Sequence, residues 1–165
     1  LNPGSNVPHD TEMKLISDER GNTYEIEKDT TKSPITNQFL LFCNLINMKP
    51  IDVLTGTIFP FRSKDWNSLS FDQKNAGLLI GKHFWSKSLE NIKLIVCAGK
   101  VTAEHTLGIS DFKFDLSINS GWGNIEITRY RDSKGRRLIQ LPHLSTFKLF
   151  SRTECLPSLK KIFYL

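Results

Sequence analysis

The sequence predicts a three-layer α/β/α fold with a mostly parallel central sheet of about four strands, to which a hairpin adds an antiparallel strand. Apolar runs of strand length alternate with segments of helical periodicity, which is typical of a sheet covered by helices on both faces. Gly and Pro mark most boundaries between these segments. Because the chain has 165 residues, 39% of them hydrophobic, we expect residues 1–165 to form a single domain with one proper core.

The amino-terminal segment is predicted to be a strand end followed by a long loop. Leu1-Asn2-Pro3-Gly4-Ser5 is typical of a strand that runs abruptly into a turn, so we expect the body of this first strand to precede Leu1. Residues 9–32 are polar, and a long loop beside a ligand crevice is often functional. Tyr24 is the sole aromatic side chain in residues 1–38.

Capping residues, prolines and the spacing of apolar residues predict the next three elements. Ser33 is a candidate cap, Pro34 suits a first turn, and apolar residues then recur at helical spacing (Ile35, Phe39, Phe42, Cys43 and Ile46). The run from Ile51 to Phe59 predicts a buried strand, which residues 60–63 turn out of the sheet. A second helix is expected over roughly 70–89, with a stripe at helical spacing formed by Ala76, Leu79, Ile80, His83 and Phe84.

The second half of the chain has the clearest strand signal. Residues 92–98 predict a core strand that ends at Gly99 and leads directly into a helix. Residues 109–123 are expected to be irregular. Two alternating runs, 125–131 and 136–141, flank a turn at 132–135 and predict an antiparallel hairpin, and a short helix is expected near 153–163.

Composition narrows the class of protein. The net charge of +5 is compatible with a polyanionic partner, and cationic residues concentrate in the last third of the chain (Lys134, Arg136, Arg137, Lys148, Arg152, Lys160 and Lys161). The three cysteines are far apart and lack the spacing of a metal or iron–sulfur site, which indicates reduced thiols in a cytoplasmic protein. No apolar run reaches the length of a membrane span.

Four motifs in a fixed order carry a resemblance to a known family. Asn2-Pro3-Gly4 comes first, and a segment ending in Thr57-Ile58-Phe59-Pro60-Phe61-Arg62-Ser63 follows. Next comes a turn containing Gly99, Ala103, Leu107 and Gly108, and a hairpin then leads into His143-Leu144-Ser145. This order resembles the uracil-DNA glycosylase superfamily, in the branches whose first motif contains Asn-Pro-Gly. The resemblance spans most of the chain, although each motif is degenerate.

The resemblance implies roles for the residues around the excised base. Asn2 would hold the water that attacks the sugar C1′, and His143 would stabilise the departing base. Gly4 would allow close approach of the backbone. Thr57 stands where many relatives have an Asn that reads the uracil edge, and its shorter hydroxyl implies a less stringent reading of the base. Tyr24 would replace the aromatic residue that relatives stack on the base, or else anchors the loop.

The resemblance also implies a DNA-contacting surface. Phe147 or Leu149 would wedge the gap left by a flipped base, with packing of the last helix as the alternative role of Phe147. Residues that would contact phosphates are Ser5, Arg62, Ser63, Ser145, Lys148 and Arg152, and a solvated side chain is the alternative for Arg62.

The expected function is that of a monofunctional DNA glycosylase, which flips a damaged or modified base and hydrolyses its N-glycosidic bond. We expect a monomer that binds single- or double-stranded DNA and uses neither metal nor cofactor. A catalytically silent DNA- or nucleotide-binding protein of the same fold is the main alternative. A nucleotide-phosphate hydrolase ranks last, because the sequence lacks a phosphate loop and an acidic metal cluster.

Overall fold

The computed structural model describes Tyr24 and residues 33–61 and 66–164. The helices of these ranges are α1 (Pro34–Leu45), α2 (Phe71–Ser88), α3 (Lys100–Leu107) and α4 (Leu156–Tyr164). The strands are β1 (Leu94–Ala98), β2 (Lys113–Asn119), β3 (Glu126–Arg131) and β4 (Arg137–Leu141). Short 3-10 turns occupy Pro50–Asp52, Trp66–Ser68, Leu149–Ser151 and Thr153–Cys155. The α/β class expected from the sequence is therefore confirmed.

The four strands form one mixed sheet in the order β1-β4-β3-β2. β1 pairs with β4 in parallel, and β3 pairs with both β4 and β2 in antiparallel fashion. The predicted hairpin is present, with its turn at 132–135 and Gly135 at a φ of 76°. Within the described residues, one of the three neighbouring pairs is thus parallel.

Helices cover both faces of the sheet. Val96 and Ala98 of β1 share one face with Ile139 and Leu141 of β4, where α1 and α4 contribute the aromatic and aliphatic side chains of the larger core cluster. Ile95 and Cys97 face the other side with Leu138, and Ala103 of α3 and Leu89 after α2 complete the smaller cluster there. This alternation is the period-two pattern of buried strands.

Two strand assignments made from the sequence are wrong. Residues 51–59 form a 3-10 turn and a loop instead of a buried strand, and Ile51 and Leu54 are exposed. Residues 113–119, expected to be irregular, form the edge strand β2. An apolar run without a neighbouring strand to complete its hydrogen bonds does not form a ladder, whereas β2 has β3 beside it.

The second helix was predicted correctly in extent but not in orientation. Ser70 and Gln73 form a capping box at the start of α2. The expected stripe faces solvent, with Leu79 72% and Phe84 55% exposed, and the buried residues are Gly77 and Gly81. These glycines allow Ile58 and Phe59 to pack directly on the helix backbone. This close packing, and not the apolar stripe, determines which face of α2 is buried.

Candidate functional site

β1 and β4 end side by side at one end of the sheet, which we call the carboxyl edge. Ala98 and Leu141 are partners in the parallel register, and the Gly99 N–H donates to the Leu141 carbonyl over 2.8 Å. The loop between β2 and β3 reaches the same end, because Asn119 pairs with Glu126 there. The carboxyl edge therefore gathers Gly99, His143 and the loop of residues 120–125, as the parallel strand ends of α/β sheets gather ligand-binding groups.

His143 lies beside Gly99 at the turn into α3. The Gly99 φ of 120° lies in a region that favours glycine. A Cβ at this position would lie 3.8 Å from His143 Cδ2 and 3.9 Å from Thr102 Oγ1. The imidazole therefore lies next to the backbone where β1 passes into α3.

The imidazole of His143 is held by its own loop. Its Nδ1 is 2.7 Å from the Ser145 hydroxyl, and the His143 carbonyl accepts from the N–H groups of Thr146 and Phe147. When the hydroxyl donates to Nδ1, the ring proton resides on Nε2, which then serves as a donor. Although the residue is exposed overall, partial burial of the ring lowers the pKa of His143 below 6.5, so the imidazole is neutral at pH 7.

The segment after this turn is anchored in the core. Leu149 is fully buried and Phe150 nearly so, and the buried side chain of Gln38 on α1 accepts from the Phe150 N–H and donates to the Ser151 hydroxyl. The predicted wedge role of Leu149 is therefore wrong, because a wedge must project into solvent. Lys148 is exposed, as a phosphate-contacting residue must be.

Phe147 and Arg152 both contact Trp122, which was not predicted as a site residue. The ring centroids of Phe147 and Trp122 are 5.6 Å apart with the rings nearly perpendicular, and the Arg152 guanidinium carbon is 3.6 Å from the Trp122 ring centroid. Arg152 Nη1 also donates to Glu154 over 2.9 Å. The signal for Trp122 was available: polar and apolar residues alternate from Lys113 to Asn119, which predicts a strand and puts Gly-Trp-Gly in its terminal loop.

The cationic residues of the last third do not form one cluster. Lys134 and Arg136 lie at the hairpin turn, which is at the opposite end of the sheet from His143. Arg136 is paired with Asp132, and Arg137 donates to the Phe163 carbonyl. The positive charge near His143 is therefore smaller than the sequence suggested. β4 runs the length of the sheet and separates His143 from the cationic residues that precede this strand.

Thr57 lies in a separate cleft between the 54–60 loop and α2. Its hydroxyl donates to the Phe59 carbonyl over 2.8 Å, and its own carbonyl accepts from Trp85 Nε1. The open, mostly apolar cleft has a volume of about 300 Å³ and is lined by Leu54, Thr55, Gly56, Thr57, Pro60, Ile80, Gly81, Phe84 and Trp85. His143 is not among the described residues that line it, so the structure does not bring Thr57 and His143 into one pocket.

The other predicted site residues divide into two groups. Tyr24 is described and is helical instead of lying in a loop, and its ring packs on Phe39 of α1 with a centroid separation of 4.7 Å. Asn2, Gly4, Ser5, Arg62 and Ser63 lie outside the described residues. The pairing of Asn2 with His143 across a base-sized pocket therefore stays a prediction.

Comparison with protein-family models, with curated proteins and with solved structures found no match for this chain. Within the described ranges, no group of three or more His, Cys, Asp or Glu side chains is arranged to hold a metal ion. Each helix of the same ranges is too short or too polar to span a bilayer. The resemblance to the uracil-DNA glycosylase superfamily accordingly depends on the motifs themselves.

Proposed function

We propose that this protein is a DNA glycosylase that hydrolyses the N-glycosidic bond of a damaged or modified base and leaves an abasic site. The observation that carries the proposal is the position of His143: it follows β4 at the carboxyl edge, beside Gly99, with Nδ1 bonded to Ser145. The proposal includes the mostly parallel, three-layer arrangement of the resembled superfamily, of which the β1–β4 pair would be the central part. It also includes a cytoplasmic monomer without metal or cofactor.

The chemistry required of His143 suits a neutral imidazole. As the bond between C1′ and the base breaks, negative charge develops on the base, and an Nε2–H donor aimed at a base oxygen stabilises that charge. The Ser145 hydroxyl would keep the proton on Nε2 by donating to Nδ1. A water held by Asn2 would attack C1′ in the proposed mechanism, and the proton that this water loses would go to the departing base.

A catalytically silent DNA- or nucleotide-binding protein of the same fold is the second candidate. The observation that favours it is the separation of Thr57 from His143, because an excised base needs a pocket with both edge-reading and charge-stabilising groups. A silent protein that binds DNA would share the DNA-binding surface and differ from the glycosylase only in base release.

The test is a base-release assay. The protein is incubated with oligonucleotides that carry uracil, hypoxanthine, xanthine or modified cytosines, and abasic sites are then cleaved with alkali. His143→Ala should reduce the rate roughly 10²–10³-fold, the cost typical of one lost donor to a developing oxyanion. His83→Ala is the matched control, because His83 is an exposed histidine on α2. DNA binding without release from any substrate would favour the silent protein instead.

A further inference from the structure

Trp122 and Arg152 form a preassembled pair at the carboxyl edge. The guanidinium lies over the indole at 3.6 Å from its centroid, which is a close cation–π contact. The Arg152 side chain is nevertheless 40% exposed. A partly exposed guanidinium with a fixed plane is prepared to bind an external anion, because less conformational freedom is lost on binding.

The loop that carries Trp122 is held against the segment that carries Arg152. A Cβ at Gly121 would lie 2.3 Å from the Glu154 carbonyl oxygen, so only glycine permits this approach. The Asn119 side chain donates to the Gly123 carbonyl and accepts from the Gly121 N–H, which closes the loop. The contact between Trp122 and Arg152 is therefore built into the backbone of both segments.

The hydrogen-bonding capacity of Arg152 is only partly used. Nη1 donates to Glu154, and in the described part of the chain no other acceptor contacts this guanidinium. Nε and Nη2 are left to bind an oxyanion such as a phosphate diester. Glu154 is itself an exposed carboxylate, and its bond to Nη1 is one that a phosphate can replace.

We propose that Trp122 and Arg152 bind a backbone phosphate of nucleic acid next to His143, with Trp122 as the positioning residue for Arg152. The choice of partner rests on the proposed function, and two further observations agree with it. Phe147, whose ring contacts Trp122, donates its N–H to the His143 carbonyl. Between His143 and the start of α4, Lys148 is exposed and Glu154 is the single carboxylate.

The experiment measures binding alone. A fluorescein-labelled single-stranded oligonucleotide without any damaged base is titrated with the protein, and anisotropy is followed at several salt concentrations. Arg152→Ala should weaken binding about tenfold and lower the log–log salt slope by about 0.7, the value for one lost phosphate contact on a single strand. Lys134→Ala removes the same charge at the opposite end of the sheet and should change neither quantity.

Trp122 is tested by a change that leaves the net charge intact. Trp122→Ala should weaken binding several-fold and lower the salt slope, since a freed Arg152 pairs with phosphate less often, whereas Trp122→Phe should retain most of both. If Trp122→Ala fails to fold, Glu154→Gln provides an independent test of the Arg152 site. Glu154→Gln should strengthen binding, and its gain should shrink in the Arg152→Ala background because the two side chains are bonded.

Wild-type affinity and salt slope in Arg152→Ala would overturn the inference, whatever the protein does to modified bases. An unchanged salt slope in Trp122→Ala would show that Trp122 does not position Arg152. If Glu154→Gln raises the affinity as much in the Arg152→Ala background as in the wild type, Glu154 does not act through Arg152. Conversely, a protein that binds through Arg152 but releases no base would refute the glycosylase proposal and leave the phosphate site standing.

Discussion

At the scale of single residues, His143 and Cys97 show how burial decides whether a titratable side chain is usable. The His143 ring is crowded enough to prefer its neutral form but still reaches solvent beside Ser145. Cys97 lies on the face of β1 that α3 covers. Burial raises the pKa of its thiol to about 11 despite a hydrogen bond with Thr106. The first side chain is available to a ligand at pH 7 and the second is not.

We expect a His143 pKa below 6.5, measured by following the imidazole signals in an NMR pH titration. Since the folded state disfavours the protonated ring, the stability linked to His143 is present above pH 6.5 and is lost as the pH falls through the lowered value. For a glycosylase, the rate of base release should stay constant from pH 7 down to this lowered pKa and fall below it. His143→Gln assigns the signal, and a midpoint above 6.5 would contradict this expectation.

Cysteine labelling provides a second check at this scale. Cys43, Cys97 and Cys155 are all buried, so a thiol reagent at pH 8 should modify none of them in the folded protein and all three after unfolding in denaturant. The Cys97 thiol remains protonated at that pH because its pKa is about 11. Rapid native labelling, read by mass spectrometry, would show that the core opens.

At the scale of elements, two glycines without side chains, Gly77 and Gly81, set the position of α2. A Cβ at Gly81 would lie 1.7 Å from the Ile58 carbonyl oxygen, and a Cβ at Gly77 would overlap the Phe59 ring. Trp85 of the same helix donates to the Thr57 carbonyl. The helix and the 54–60 loop thus pack backbone to backbone, which fixes the cleft between them.

Gly81→Ala should destabilise the protein by about 1–3 kcal/mol, although alanine is the better helix former by about 1 kcal/mol. The cost arises because a backbone carbonyl, which cannot rotate away as a side chain can, must move. Gly108→Ala is the control. Gly108 follows α3 with an ordinary φ of −73°, and a Cβ there would have ordinary spacing to its neighbours. The free energy of unfolding of this variant should therefore be unchanged or slightly raised. Urea unfolding of both variants measures the difference, and a stabilised Gly81→Ala would contradict the packing.

The elements best predicted from the sequence are those whose signals are local. Pro34 and the apolar spacing of α1, the turn at 132–135 and the run into Gly99 each correspond to an observed boundary. The strand expected at 51–59 failed because strand formation depends on a partner elsewhere in the chain. The stripe of α2 failed because small residues can be the buried face when a neighbour approaches closely.

The candidate site was predictable only in part for the same reason. His143 and Ser145 follow a well-signalled strand, and their position at a strand end came from the sequence pattern. The contacts of Trp122 with Phe147 and Arg152 join two loops that are distant in sequence, so no local pattern predicts them. Leu149 was misassigned because an apolar residue in a loop does not reveal whether it projects outward or into the core.

At the scale of the whole molecule, two arginines connect the sheet to α4. Arg129 of β3 is 5% exposed, donates to the Ile162 carbonyl and pairs with Asp115. Arg137 of β4 donates to the Phe163 carbonyl. Cations at the carbonyl end of a helix satisfy groups that the helix itself leaves unpaired. Because α4 covers the larger core cluster, these bonds tie that cluster to the sheet.

Arg129→Ala should lower the free energy of unfolding by about 1–3 kcal/mol, because it leaves the buried Ile162 carbonyl unsatisfied, while Asp115 keeps its bond to Arg131. Arg131→Ala is the matched control: Arg131 pairs with the same Asp115, but its side chain is 41% exposed, so we expect a loss of less than about 1 kcal/mol. Thermal and urea unfolding of the two variants compare these costs. Equal losses would show that burial of Arg129 does not matter.

The strand order also has a consequence for how the molecule folds. β2, β3 and β4 are joined by short turns and can form early, whereas the β1–β4 ladder joins residues as distant as Leu94 and Arg137 and must wait for a large loop to close. The carboxyl edge, which exists only when β1 lies beside β4, is therefore the last region to form and the first to be lost. Native-state hydrogen exchange should show β1 amides opening before those of β3, so His143 can lose its surroundings while the rest of the sheet persists.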